Sequence, residues 1–152
     1  MYMYKLSIFY KKGVKLYRPT EKEVKRRWKE YEKMVLEEVT TGLIEAKKRR
    51  DGKYNIDGDV NLQNRNINSL LKFHVKFGKI IGNFDCSFNE LKDLKGAPEY
   101  VSGDFICIYN QLKSLEGAPA YVGGDFYGWN NAKKFTEEEV RKVVEVKGNV
   151  YV

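Results

Sequence analysis

The side chains that could do covalent chemistry in this sequence are few, and they lack the partners that catalysis requires. The one histidine, His74, lies in LKFHVKF, where alternating apolar residues indicate a structural position. Cys86 and Cys107 lie outside any Cys-x-x-Cys motif, and we interpret them as buried thiols, because a reactive thiolate needs exposure and a basic neighbour. These residues predict no enzyme, no metal site and no cofactor.

The two cysteines belong to a repeat, since GNFDCSFNELKDL at residues 82–94 returns as GDFICIYNQLKSL at residues 103–115. We number each copy from the residue after Gly-Asp or Gly-Asn, which is position zero. Five copies align with position zero at Val60, Phe84, Phe105, Phe126 and Val150. Spacings of about 20–29 residues are typical of solenoids in which each copy stacks on the next.

The residue types within a copy predict which side chains point inward. Positions zero and plus two share one face of a strand, so both are expected in the core. An asparagine recurs at plus five, where its amide can pair with turning backbone, in Asn89, Asn110 and Asn131. Glycine at minus two allows a tight corner. The repeated aspartates at minus one are corner residues before they are calcium ligands: Asp59, Asp104 and Asp125.

Four stretches, GDVNLQNRNINSL, FGKIIGNFDCSFNEL, LKGAPEYVSGDF and LEGAPAYVGGDF, resemble the short leucine-rich-like repeats of many bacteriophage and some bacterial proteins. The resemblance covers residues 54–131. It implies a β-solenoid and a phage origin, and it implies no enzymatic activity, because the family is a scaffold.

We predict an α+β protein with a leucine-rich-like β-solenoid of about five rungs over residues 54–152 and a basic, ββαβ-like cap over residues 1–53. The cap is expected to contain a hairpin in YKLSIFYKKGVKLYR, a helix from Thr20 to near Gly42, and a hairpin around Asp51-Gly52. The buried face of that helix is predicted to contain Val24, Trp28, Tyr31, Val35 and Val39. A C-terminal cap of one short helix, in TEEEVRKVVEV, and one strand, in GNVYV, is expected to close the array. Two predicted capping boxes, Thr20 with Glu23 and Thr136 with Glu139, mark the starts of the two helices.

The positive charge lies at the front of the chain. Residues 1–50 contain 15 Lys and Arg against 7 Glu, whereas residues 51–152 contain 13 against 14 acids. Such a cluster is either a solvated surface or a site for nucleic acid or an acidic protein. The candidate residues for that site are Lys25, Arg26, Lys29, Lys47, Lys48, Arg49 and Arg50.

The copies differ at plus one and plus three, which are expected to point outward. Copy two has Asp85 and Ser87 there, as a solvated strand should, whereas the next two copies carry large apolar residues. A patch of that size usually indicates an interface, unless the chain's own caps cover it or it is a homodimer contact. The candidate partner-binding residues are Phe88, Ile106, Ile108, Tyr109, Tyr127 and Trp129.

These patterns predict a non-enzymatic protein-binding module. In a phage setting the partner would be a host enzyme or a bacterial defence complex, for example of CRISPR type, and the protein its inhibitor. The alternative is an RNA- or DNA-binding protein that uses the basic cap. Without a long apolar run or a signal-peptide pattern, we expect a cytoplasmic protein that does not enter the membrane.

Overall fold

A computed structural model describes residues 19–152, apart from the side chains of Leu43 and Ile44. The hairpin predicted in residues 4–18 lies outside this range. The described chain begins with helix α1 (Glu21–Val39), strand β1 (Thr40–Lys48), strand β2 (Lys53–Asn61) and a 3-10 turn (Leu70–Lys72). The remaining elements are β3 (Lys76–Ile81), β4 (Phe84–Asp85), β5 (Tyr100–Val101), β6 (Phe105–Ile106), β7 (Tyr121–Val122), β8 (Phe126–Tyr127), α2 (Glu137–Arg141), β9 (Glu145–Val146) and β10 (Val150–Tyr151).

Helix α1 begins at the predicted capping box, in which the Glu23 N–H donates to Thr20 Oγ1 over 3.3 Å and the Thr20 N–H donates to the Glu23 carboxylate over 2.7 Å. The helix ends at Val39, earlier than predicted, because Thr40 already pairs with Val60 in the β1–β2 hairpin. Gly42 is therefore no helix stop. It lies at φ +62° where the register of β1 shifts.

The predicted apolar face of α1 is buried only in its C-terminal half. Val35 and Val39 are buried, whereas Val24, Trp28 and Tyr31 keep part of their surface exposed. The helix therefore docks on the hairpin mainly through its last two turns.

The solenoid consists of two parallel ladders that share β2. The first ladder stacks β2, β3, β5, β7 and β9, which aligns Ile56, Ile80, Val101, Val122 and Val146. The second ladder stacks β2, β4, β6, β8 and β10, which aligns Val60, Phe84, Phe105, Phe126 and Val150. The predicted alignment of position zero is therefore confirmed, and the apolar residues at position minus four align in the same way.

The number of turns is smaller than predicted, about four rather than five. Five stacked strand positions enclose only four intervals. Copy one begins in the long strand β2, which is also the second strand of the hairpin with β1. Each sequence copy contributes one strand position, so the number of copies exceeds the number of complete turns by one.

The core is a column of identical side chains. Phe84, Phe105 and Phe126 have no exposed surface, and their ring centroids are 5.7 and 5.6 Å apart. Parallel strands in register bring like residues together at about 4.8 Å, so each copy must bury the same shape. Burying a phenylalanine stabilises a fold by about 2–3 kcal/mol, which makes this column a main contribution to stability.

The asparagines at plus five form the predicted ladder inside the coil. Asn89 Nδ2 donates to the Leu62, Cys86 and Ser87 carbonyls over 2.7, 3.1 and 3.0 Å. Its Oδ1 accepts from the backbone N–H groups of Arg65 and Ile67, both over 3.0 Å. Asn110 and Asn131 bridge the later copies in the same way.

A second ladder runs along the corner at minus one. Asp59, Asn83, Asp104 and Asp125 each accept through Oδ1 from the backbone N–H of the corner residue in the following copy, over 2.7–2.8 Å. The aspartates are therefore corner residues, as predicted. The glycine at minus two has φ of +144° and +151° in Gly58 and Gly82 only.

Arg141 of α2 bonds to the last copy on the first ladder. In earlier copies the carbonyl at minus four accepts from the backbone of the following copy, as Val122 O does from the Lys147 N–H over 3.0 Å. In the last copy Arg141 Nη1 donates to Val146 O over 2.7 Å and Nη2 to Gly148 O over 3.0 Å. The guanidinium thus takes the place of two backbone N–H groups.

Candidate functional site

The two cysteines are buried between copies of the repeat, and His74 packs against aromatic rings of α1. Cys86 and Cys107 have no exposed surface, and each thiol lies 3.4 Å from the carbonyl of Ile106 or Tyr127 in the following copy. Burial raises the pKa of both thiols. The His74 ring lies 5.2 Å from the Tyr31 ring and 6.5 Å from the Trp28 ring, against α1.

We expect the two thiols to make stability fall in alkaline solution. An unfolded cysteine ionises above a pKa of about 8.5. Below a pH of about 8.5 the thiol is protonated in both the folded and the unfolded protein. Above it only the unfolded protein loses the proton. The free energy of unfolding therefore falls by up to about 1.4 kcal/mol per pH unit for each thiol. Urea unfolding at about pH 8 and about pH 10 measures this loss. The control is Cys86→Ala/Cys107→Ala, which should lose less, and parallel pH dependences would contradict the prediction.

Residues 19–152 contain neither a metal-binding cluster nor a membrane-spanning helix. No group of three or more His, Cys, Asp or Glu residues in this range could hold a metal ion. Neither helix in the range is long and apolar enough to cross a bilayer.

The structure places four of the predicted partner-binding residues on and just after the strands of the second ladder, where each is half-buried rather than fully exposed: Ile106, Ile108, Tyr127 and Trp129. Ile106 and Tyr127 are paired neighbours on β6 and β8. The Tyr127 and Trp129 rings meet edge to face at 5.6 Å. The Tyr127 ring also stacks on Tyr151 at 5.0 Å. We define the outer strip as Ile106, Ile108, Tyr127, Trp129 and Tyr151.

Two details of the strip were not predicted. Tyr151 occupies position plus one of copy five, so the repeat register contained the signal that it belongs there. Ser87, expected to be solvated, has only 1% of its surface exposed, and its hydroxyl donates to Asp85 Oδ1 over 2.5 Å. Outward positions on copy two are therefore less accessible than simple alternation predicts.

Phe88 and Tyr109 lie at the turn after the strip, with an unfavourable backbone conformation. Their φ angles are +54° and +50°, and Asn64 and Asn130 at the same position of copies one and four have +53° and +55°. Asparagine tolerates this region, whereas a bulky residue there costs about 1–2 kcal/mol. The two rings nevertheless stack at 4.6 Å with 44% and 47% of their surface exposed. Strain of this kind, kept at an exposed aromatic pair, indicates a functional surface.

The predicted basic site is partly neutralised by neighbouring carboxylates. On α1, Lys25 pairs with Glu21 at 2.5 Å and Arg26 with Glu30 at 3.7 Å. Near the hairpin tip, Lys48 pairs with Glu32 at 2.7 Å, and this bond raises the pKa of Lys48.

Arg49 is bound to the solenoid, since it contacts Glu99 at 2.9 Å, and Glu99 also contacts Lys53. Those two hydrogen bonds lower the pKa of Glu99. Lys29, Lys47 and Arg50 are exposed, and none of them forms an ion pair with a described acid. Three of the seven candidate cations therefore remain available at the basic surface.

A small cleft opens beside Trp129. It has a volume of about 320 Å³, and its lining includes Trp129, Asn130, Lys133, Lys134 and Phe135. The Lys133 ammonium forms an ion pair with the Glu139 carboxylate at 2.6 Å and lies 5.2 Å from the centre of the Phe135 ring. Sequence reasoning missed this cleft, because its walls come from copy four and from the segment before α2.

Comparisons with protein-family models, with curated proteins and with solved structures found no match to this chain.

Proposed function

We propose that the protein is a non-enzymatic binding module that presents the outer strip to another protein. The observation that carries this proposal is the contact between the Tyr127, Trp129 and Tyr151 rings on a ladder whose inner side is a stack of phenylalanines. Tyrosine and tryptophan are the residues that most often dominate binding energy at protein interfaces. A stacked scaffold holds them in place before binding, which reduces the entropy lost on association.

The alternatives to a foreign partner make different predictions. Within residues 19–152, the ring contacts of α1 join Trp28 and Tyr31 to each other and to His74. In the same range the ring contacts of the outer strip are all within the strip, so no aromatic ring of α1 covers it. A homodimer would bury the same strip and would dissociate on dilution. Nucleic acid bound at the basic cap would depend on Lys29, Lys47 and Arg50 and would leave the strip uninvolved.

A narrower form of the proposal rests on the resemblance to phage repeat proteins. In that setting the partner is a host enzyme or a bacterial defence complex, and the bound module inhibits it. An aromatic strip on a stacked scaffold suits this role because it can cover a surface without any chemistry of its own. Inhibition of a captured complex by the purified protein tests this form.

The test uses Ile108→Ser and Tyr127→Ser, together with Gln63→Ser as the control. Gln63 has the same plus-three position as Ile108 but lies in copy one and is exposed. We expect each strip variant to weaken partner binding by about tenfold or more. Because Ile108 and Tyr127 are half-buried, we also expect each variant to lower the unfolding free energy by about 1–2 kcal/mol and to stay folded. The control should change neither quantity.

Affinity capture from a bacterial lysate, with and without nuclease, is compared between the wild type and the variants, and melting is measured on the same samples. A protein that is retained by the wild type and Gln63→Ser but lost by both strip variants supports the proposal. Marked destabilisation would mean that the chain itself covers the strip. Loss of self-association alone would identify a homodimer contact. Capture that nuclease abolishes would favour nucleic acid.

A further inference from the structure

The return arm of each copy, which follows the plus-four turn, has an exposed face of its own. In copies two and three, positions plus four, six and eight are exposed, whereas plus five and seven are buried. The arms lie side by side, since the Gln111 N–H donates to Leu91 O over 2.9 Å and the Lys113 N–H donates to Lys92 O over 3.1 Å. Alternate residues of neighbouring arms therefore form one surface. We define the return-arm face as Phe88, Glu90, Lys92, Tyr109, Gln111, Lys113, Asn130, Ala132 and Lys134.

Lys92 and Lys113 lie side by side at plus eight of copies two and three. Lys134 has the same sequence position in copy four, is exposed, and follows Lys133, whose N–H donates to Leu112 O over 2.9 Å. We call these three residues, Lys92, Lys113 and Lys134, the lysine column. Like charges on neighbouring strands repel one another, so such a column is unfavourable unless something anionic binds to it. Lys92, Lys113 and Lys134 form no ion pair with any acid in residues 19–152. By contrast, Lys95 pairs with Glu116 at 2.9 Å and Lys147 with Glu145 at 2.7 Å.

The column lies beside groups that suit the bases of a nucleic acid. The Phe88–Tyr109 stack is exposed and has a strained backbone. Beyond Tyr109, copy four carries Asn130 and Ala132, which are exposed and smaller than the aromatic residues of copies two and three. Exposed aromatic rings next to a row of cations are the arrangement with which proteins bind single strands without reading their sequence.

We infer that the return-arm face binds single-stranded nucleic acid, with phosphates at Lys92, Lys113 and Lys134 and a base stacked on Tyr109. Three neighbouring copies span about 10 Å, which is the length of two or three nucleotides. At copy four the face borders the cleft of about 320 Å³, whose lining includes Asn130, Lys134 and Trp129 of the outer strip. An acidic polypeptide would satisfy the lysines but would make no use of the exposed ring faces.

The nine residues of this face differ from those of the outer strip and of the basic cap, although the cleft beside Trp129 borders both the face and the strip. The nine residues of the face contain three lysines and one acid, although residues 51–152 as a whole have a slight negative charge. The positive charge is thus local to one face. The site does not depend on the proposed protein partner, and Ile108→Ser should leave it unaffected.

The test measures fluorescence anisotropy of a labelled oligothymidylate of about 12 nucleotides as salt is varied. We expect Lys92→Gln/Lys113→Gln/Lys134→Gln to bind at least about tenfold more weakly and to reduce the salt slope by about 2, because three phosphate contacts are lost. Tyr109→Asn should bind about 5- to 100-fold more weakly. It should melt at the same or a higher temperature, because asparagine is favoured at this φ. The second variant thus separates binding from folding.

The control variant is Lys25→Gln/Arg26→Gln/Lys29→Gln, which removes three positive charges from α1. We expect it to change the affinity by less than about threefold, because salt screens charges that are far from the bound oligonucleotide. The inference is overturned if the wild type does not bind at low salt. It is also overturned if the cap variant loses as much affinity as the lysine-column variant. A labelled oligoglutamate that binds as tightly as the oligonucleotide, with Tyr109→Asn unchanged, would identify an acidic polypeptide as the ligand instead.

Discussion

Replacing Asn89 by alanine is expected to lower the free energy of unfolding by about 3 kcal/mol or more, because it leaves several buried backbone groups without a partner. The N–H groups of Arg65 and Ile67 lose the Oδ1 acceptor. The Leu62, Cys86 and Ser87 carbonyls lose the Nδ2 donor. The side chain is only 8% exposed, so water does not easily replace it.

The asparagine ladder provides its own graded control. Asn110→Ala removes one acceptor contact, from the Leu91 N–H, and three donor contacts, so we expect a loss of about 2 kcal/mol. Asn131 is only partly buried, so water can replace part of its bonding, and Asn131→Ala should cost about 1 kcal/mol. Urea unfolding of the three variants measures the series. Equal losses, or no loss at Asn89, would show that the ladder does not stabilise the coil.

Gly124→Ala is expected to destabilise the protein by about 2–4 kcal/mol, because a methyl group has no room at this corner. A Cβ at residue 124 would collide with Asp104 Oδ1 and lie 2.9 Å from the Gly103 carbonyl carbon. The Asp104 carboxylate would have to move, and the Asp125 N–H would lose its 2.8 Å hydrogen bond.

Two further variants separate the causes of this effect. Asp104→Ala removes only the hydrogen bond and should cost about 1–2 kcal/mol. Gly42→Asn adds a side chain where nothing lies within 4 Å, at a φ of +62° that asparagine tolerates, so it should cost less than about 1 kcal/mol. Thermal and urea unfolding are the measurements. A loss from Gly124→Ala no larger than that from Asp104→Ala would show that the corner has room for a methyl group.

The inward side of the fold could be predicted from the sequence to a large extent. Stacked copies place the same position in the same environment, so a conserved spacing of residue types predicts the buried columns of phenylalanine and asparagine. The corner glycine was predicted for the wrong reason at most sites. At residue 124 the glycine is needed because a side chain there would collide with the Asp104 carboxylate of the preceding copy, and not because the backbone has a positive φ. Close approach between copies is a tertiary property, so no dihedral preference reveals it.

The candidate site could be predicted only in part. The six predicted partner-binding residues fall on two surfaces, since Phe88 and Tyr109 stack at the plus-four turn and the others lie on the second ladder. The lysine column was not predicted, although its spacing is visible in the sequence. Whether a lysine is paired depends on an acid elsewhere in the chain, as for Lys95 with Glu116.

The sequence by itself therefore determined the repeat register, the alternation of inward and outward positions and both helix capping boxes, because each depends on residues a few positions apart or one copy apart. Tertiary structure alone decided that Thr40 leaves the helix to pair with Val60, that Arg141 bonds to the last copy, and that Ser87 is buried. It also decided which cations are paired. These properties depend on atoms that meet only after the coil has stacked, and no local preference specifies such a contact.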